Sequence, residues 1–329
     1  MNKNQKVVAY ADLLGFSEFV VSDLKQAKQL LDDFYNLSQR TKISKGYKDL
    51  ELFLFSDSLL LQGNDISSVV NYMCCLYRSA LKYCKKGLIM LCRGGIARGC
   101  VITQKRRQAP NVIKNFIISP ALTHAAKMES LVKGQRLLLS ANEHEELSHF
   151  WNHDIESICY DQPSVKPSKL FLKYKYRDIL WARDLAKEYP ESKKETTNLI
   201  NIAAELFNKN YKKPKSVSLH YAETLRICML SYASLLEPCA DDRKLLQSLV
   251  QGTLIKYPHE SVWLGFLEMI LLSREAFAFQ KEKSVLTFLL VALLSPKWGN
   301  ICSVLERAEN SQLSHAVKEL INVAIHEPV

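Results

Sequence analysis

The hydrophobic periodicity of the chain changes once, near residue 176, and this confines it to two differently built halves. Before that point, short β-like runs alternate with stretches of helical period. Val7 to Tyr10 reads as a strand, and residues 17–38 read as a helix carrying Phe19, Leu24, Ala27, Leu31 and Phe34 on one side. Glu51 to Gln62 reads as two strands meeting at Ser56-Asp57-Ser58. Ile66 to Lys85 is helical, and Leu88 to Cys92 and Ala97 to Thr103 read as strands around Arg93-Gly94-Gly95. Phe116 to Ile118 is a short strand and Pro120 to Leu131 a helix with proline at an allowed early position. Arg136 to Leu139 is a strand, and Leu170 to Lys173 is placed to close the sheet. The order β-α-β-β-α-β, then a further αβ unit, is a split βαβ arrangement and puts this half in the α+β class. After residue 176 strand alternation stops. Helical stretches recur near 178–189, 195–209, 217–236, 241–255, 260–275, 279–295 and 303–325, punctuated by Pro190, Pro214, Pro238, Pro258 and Pro296. The expected organisation is an α+β domain over residues 1–175 and an all-α domain over residues 176–329.

With 47% apolar and 24% charged residues, the chain has the composition of a soluble globular protein. Its net charge of +10 favours an anionic partner without naming one. Nine cysteines with no Cys-x-x-Cys pair are the usage of a reducing compartment, and the start runs directly into a strand, so a cytoplasmic location is expected. The longest apolar segment, Val285 to Leu294, is closed by Pro296 and falls short of the ~20 residues that span a bilayer. No membrane role is expected.

Two carboxylates carry the chemistry. Asp12 lies at the end of the first strand, in Ala11-Asp12-Leu13-Leu14-Gly15-Phe16, where glycine lets the following turn bring backbone N–H groups toward phosphate. Asp57 lies at a hairpin tip that returns beside the same strand. Two carboxylates meeting from different strands can hold two divalent ions, activate an attacking hydroxyl and neutralise phosphoryl charge.

Four segments in order resemble the class III nucleotidyl (adenylyl/guanylyl) cyclases. Asp12-Leu13-Leu14-Gly15-Phe16 is similar to their D-I-x-G-F, and Asp57 falls where their second metal aspartate follows a strand. Arg93-Gly94-Gly95-Ile96-Ala97-Arg98-Gly99 is similar to R-x-G-I-x-x-G. Thr123 to Ser130 resembles N-x-A-x-R-M-E-S, with Ala125, Met128, Glu129 and Ser130 matching. The resemblance implies a ferredoxin-like βαββαβ domain and a nucleoside triphosphate substrate whose ribose 3′-hydroxyl attacks the α-phosphate. It implies Asp12 and Asp57 as ligands of two Mg²⁺ or Mn²⁺ ions per site, and phosphate contacts from the backbone of Leu13, Leu14, Gly15 and Phe16. It also implies a head-to-tail homodimer.

The departures matter as much. The family's transition-state Asn and Arg are matched by Thr123 and Lys127; lysine keeps the charge and loses the planar fork of arginine. Arg93, Arg98 or the Lys105-Arg106-Arg107 run can supply further positive charge, and Arg93 is taken as catalytic with Thr123 and Lys127. The base-reading positions hold Phe53 and Phe116, which offer stacking but no hydrogen-bonding code for a purine. Within the family, the chain is most similar to the bacterial pyrimidine cyclases of anti-phage signalling, which implies CTP or UTP. A catalytically degenerate, nucleotide-binding signalling protein is the alternative. Lys169 to Arg177 alternates lysine with aromatics and gives a further alternative, a nucleic-acid-binding protein, although nucleic acid is not the expected partner. Lys169 also answers to the family's triphosphate lysine. His144, His149 and His153 lack zinc spacing, and the C-terminal helices are expected to serve regulation or oligomerisation.

Overall fold

The first strand is the centre of the fold. β1 (Gln5–Leu13) buries Val7, Val8 and Ala9 in succession, the pattern of a strand covered on both faces. The computed structural model describes residues 5–44, 46–105, 115–131, 133–140, 159–161, 176–184 and 189–233, with positions 187, 235 and 262. The chain divides into two compact units, Met1–Lys187 and Glu188–Val329.

In the first unit β1 is followed by α1 (Phe16–Ser22) and α2 (Leu24–Ser44). A single helix over 17–38 was expected. Asp23 divides it: its backbone is extended, and its Oδ1 accepts from the N–H groups of Lys25 and Gln26, so it caps the second helix instead of continuing the first. The hairpin β2 (Glu51–Phe55) and β3 (Ser58–Gly63) turns at Ser56-Asp57 as expected. α3 (Ile66–Tyr83), capped by the Asp65 carboxylate, leads to β4 (Cys92–Cys100). β5 (Ile102–Lys105) and β6 (Asn115–Ile118) pair as a separate two-stranded ribbon. α4 (Pro120–Leu131), β7 (Leu137–Ser140), β8 (Cys159–Asp161) and β9 (Tyr176–Ile179) complete the unit.

The main sheet has the order β2-β3-β1-β4-β7-β9-β8. β1 is antiparallel to both β3 and β4, and β3 to β2, so the order β2-β3-β1-β4 with its helical crossovers is the expected α+β split βαβ core. β4 and β7 are parallel, adding the further αβ unit. α3 packs against β1, β3 and β4, and α4 against β1, β4 and β7.

Two further features correct the sequence reading. The Arg93-Gly94-Gly95 segment does not interrupt two strands; it runs through the single strand β4. Its glycines serve close approach. A Cβ on Gly94 would lie 2.2 Å from the Tyr10 carbonyl oxygen and 2.8 Å from the Tyr77 hydroxyl of α3, and one on Gly95 would lie 2.6 Å from the Ala125 carbonyl oxygen of α4. Neighbouring residues thus face opposite layers. The stretch from 178, expected to be helical, contains β9, which pairs antiparallel with β7.

α4 covers a buried cluster of Val8, Leu60, Ala97, Val101, Ala121, Ala125, Met128 and Leu138, with Tyr10 and Phe53 at its margin. Each large side chain so buried contributes about 1.5–3 kcal/mol. In the second unit α5 (Tyr189–Asn210) packs against α6 (Lys215–Ala233), burying Leu199, Ala203, Phe207, Leu225 and Met229. The other expected C-terminal helices, the Leu170 to Lys173 strand, Lys169, Arg106, Arg107 and the three histidines lie outside the described residues. Among the described residues, no helix is long and apolar enough to cross a membrane.

Candidate active site

The register of four strands builds one row of side chains. Phe55 is opposite Ser58, Ser58 opposite Asp12, and Asp12 opposite Arg93. Directly opposed residues share a face, and this is the face covered by α4, since Arg93 forms an ion pair with Glu129 of that helix. The row behind it carries Phe53, Leu60, Tyr10 and Gly95.

Asp57 arrives from the β2–β3 turn. The turn is held by its backbone: Leu13 N–H donates to the Asp57 carbonyl at 3.0 Å, and the Tyr35 hydroxyl of α2 donates to the Ser56 carbonyl at 3.0 Å. Ser56 itself has φ 51°, a left-handed conformation that a non-glycine residue adopts at a cost of about 1–3 kcal/mol. The turn therefore holds Asp57 in one place against local preference.

The Asp12 carboxyl senses the charge of Asp57. Burial pushes the Asp12 pKa up, and repulsion from Asp57 raises it further, against the hydrogen bond from Ser58 and the Arg93 charge. Ser58 Oγ donates to Asp12 Oδ1 at 2.8 Å. Glu129 is also pushed up by burial, with Arg93 opposing and Asp12 adding to the shift.

A raised carboxyl pKa means that ionisation destabilises the fold. The penalty is full above the folded-state pKa and disappears as pH falls below the ordinary carboxyl value. Asp12→Asn removes the charge and keeps an acceptor for Ser58. Its melting temperature at pH 7 is expected to exceed that of the parent, and the gap to close on acidification; thermal denaturation across pH measures both.

The loop after Asp12 is tightly engaged. Leu13 is buried, the Leu14 N–H donates to the Leu91 carbonyl at 2.8 Å, and Gly15 adopts φ +76° ahead of α1, where Phe16 is buried. Phe53 and Phe55 stand on one face of β2 with parallel rings, centroids 6.4 Å apart; Phe53 is half-buried and Phe55 exposed. Phe116 lies on β6 opposite Gln104, in the separate ribbon.

Thr123 and Lys127 are one turn apart on the exposed side of α4, away from the face that buries Ala121, Ala125 and Met128. Among the described residues neither forms a hydrogen bond or ion pair with Asp12 or Asp57. The Thr123 hydroxyl donates to the Ser119 carbonyl at 3.2 Å. Arg93 is held by Glu129. Sequence reasoning assigned no role to Ser58, Tyr10, Phe55 or Glu129. Once the hairpin register is fixed, Ser58 must oppose Asp12; the Arg93–Glu129 pair carries no local signal.

No protein-family model matches the sequence, and no curated protein matches it. Solved structures similar to the chain are adenylyl and guanylyl cyclases. The adenylyl cyclase CyaB from P. aeruginosa is 15% identical over 54% of this chain and 94% of its own, with a TM-score of 0.42. A bacterial light-regulated adenylyl cyclase is 11% identical over 60% of this chain and 98% of its own, with a TM-score of 0.40. A dimeric guanylyl cyclase domain of the RhoGC fusion protein from the aquatic fungus Blastocladiella emersonii is 17% identical over 54% of this chain and 94% of its own, with a TM-score of 0.38.

Proposed function

We propose that the first unit is a metal-dependent nucleotidyl cyclase that converts a nucleoside triphosphate to a 3′,5′-cyclic nucleotide and pyrophosphate. The observation that carries this reading is the placement of Asp12 and Asp57 at one end of the sheet, where the β2–β3 turn is bonded to the end of β1 and the Asp57 charge pushes the Asp12 pKa up. The donor set fits Mg²⁺ or Mn²⁺: the oxygens are hard, and their mutual repulsion is relieved by a divalent cation. Among the described residues no three His, Cys, Asp or Glu side chains gather as a metal site. Two carboxylates suffice where substrate phosphates supply further oxygens. Two such ions, when bound, promote ionisation of the attacking hydroxyl and neutralise charge on the phosphoryl group.

The residues then divide the work. Asp12 and Asp57 hold the metals, with Asp12 fixed by Ser58. The N–H groups of Leu13 and Leu14 are spent on Asp57 and Leu91, so these two residues shape the loop while Gly15 and Phe16 contact phosphate. Phe53 and Phe55 stack the base, joined by Phe116, and their bulk without hydrogen bonding suits a pyrimidine, CTP or UTP. The 3′ oxygen bonds to the α-phosphorus, the bond to pyrophosphate breaks, and the hydroxyl proton leaves to solvent. Thr123 and Lys127, turned outward, serve the site of a second copy in a head-to-tail homodimer, where Lys127 neutralises the transferring phosphoryl group. Arg93 supplies positive charge beside Asp12. The product suits the anti-phage signalling of the cytoplasmic bacterial enzymes that the sequence resembles, with residues 176–329 regulating or assembling the enzyme.

Incubating the purified protein with ATP, GTP, CTP or UTP in Mn²⁺ and separating the products tests this. One pyrimidine triphosphate is expected to yield a cyclic product and an equal amount of pyrophosphate. A second reading, a degenerate cyclase that binds nucleotide without turnover, is favoured by the engagement of the Thr123 hydroxyl with its own helix. Tight nucleotide binding with no product under any divalent metal would establish it.

A further inference from the structure

We propose that Tyr10 is a positioning residue for the Asp12 carboxylate, acting through Ser58; the inference rests on the reading of Asp12 as a metal ligand. The Tyr10 hydroxyl lies 2.8 Å from Ser58 Oγ, and Ser58 Oγ lies 2.8 Å from Asp12 Oδ1. The direction of this relay follows from counting protons. An ionised carboxylate only accepts, so the single Ser58 proton goes to Asp12. With that proton spent, Tyr10 is the donor to Ser58. Both hydroxyls therefore point toward Asp12, and each bond polarises the next.

The far end of the relay is anchored. Tyr10 and Asp12 are two residues apart on β1 and share a face. The Tyr10 ring packs against the cluster of Val8, Leu60, Ala97 and Met128, so the position of its hydroxyl is set by the core. Phenylalanine would fill this space equally well. A half-buried hydroxyl is tolerated where it has a partner, and the partner here is the group that orients Asp12. The rigidity of the packed layer beneath α4 is thereby passed to one oxygen of the carboxylate. Hydrogen-bond partners of metal ligands typically change metal affinity by about 10–100-fold when removed.

The test uses the full chain and Mn²⁺ alone, with the free-ion electron paramagnetic resonance signal reporting binding. Tyr10→Phe is expected to weaken Mn²⁺ binding about tenfold, with its melting temperature close to the parent's. Ser58→Ala should weaken it at least as much, and Ser58→Thr, which keeps the hydroxyl, should restore it. The double variant Tyr10→Phe/Ser58→Ala should be no weaker than Ser58→Ala, because the two residues act in series. Suppose the parent binds Mn²⁺ and Asp12→Ala does not, while Tyr10→Phe stays within twofold of the parent or its effect adds to that of Ser58→Ala. The relay is then overturned and the metal reading stands. A parent that binds no Mn²⁺, either alone or together with a nucleoside triphosphate, overturns both.

Discussion

Alanine at position 57 is expected to abolish cyclic-nucleotide formation while the chain folds as before. Both halves of that expectation come from how the turn is built. The contacts that hold it are made by backbone atoms: the Asp57 carbonyl accepts from Leu13 N–H, and the Ser56 carbonyl accepts from Tyr35. Alanine keeps every one of them. What it removes is a carboxylate whose charge pushes up the Asp12 pKa. The fold therefore loses a repulsion, and Asp12 ionises more readily than before. Activity has no such compensation. A ligand that helps hold metal at a developing phosphoryl charge contributes several kcal/mol to the transition state, and about 4 kcal/mol corresponds to roughly a thousandfold in rate. Product chromatography with the preferred triphosphate in Mn²⁺, beside circular dichroism of the variant, measures both halves. A variant that is folded and as active as the parent would remove Asp57 from the mechanism and with it the cyclase assignment.

What could be read from sequence here follows the range of the interaction. The placement of Asp12 near a strand end and of Asp57 at a hairpin tip was legible because each sits in a short motif beside a strand, and these are local patterns. The outward face of Thr123 and Lys127 was legible in principle too: with Ala121, Ala125 and Met128 buried, the helical period turns positions 123 and 127 away from the sheet. Partners supplied by register were not. Ser58 opposes Asp12, and Gly95 lies beneath Ala125, only once β1, β3, β4 and α4 have been assembled. Two adjacent glycines ordinarily break a strand, so β4 read as two pieces. In the structure the glycines are what allow Tyr10, Tyr77 and α4 to approach the strand from either side. β9 was missed for a related reason. Tyr176–Ile179 contains Arg177 and Asp178, and an aspartate in a four-residue run argues against a buried strand. Asp178 is nevertheless fully buried, because Arg136, far away in sequence, lies against it.

That pair carries the largest expected effect on stability. Arg136 binds Asp178 through two contacts: Nε donates to Oδ1 at 3.0 Å and an Nη to Oδ2 at 2.5 Å, with both side chains almost fully buried. Around them the chain is closely tied. The Gly94 N–H donates to the Arg136 carbonyl at 2.9 Å, the Trp181 indole N–H to the Gln135 carbonyl at 2.8 Å, and Gln135 Nε2 to the Tyr77 carbonyl at 2.6 Å. Arg78 of α3 extends this region, donating to the Trp181 and Arg183 carbonyls and pairing with Asp184 at 3.2 Å. Arg136→Ala would take this two-contact fork away from the buried Asp178 carboxylate, and breaking a buried pair in this way destabilises by about 3–5 kcal/mol. Lys in its place keeps the charge but not the fork, and should recover only part of the loss. Replacing both partners together, as Arg136→Met/Asp178→Leu, removes the buried carboxylate as well and should recover part of the stability that Arg136→Ala loses. Urea denaturation of the three variants, followed by circular dichroism, distinguishes this account from simple loss of packing. If the double variant is as unstable as Arg136→Ala, the buried charge is not the cause, and the arginine stem is what supports the junction of β7 and β9.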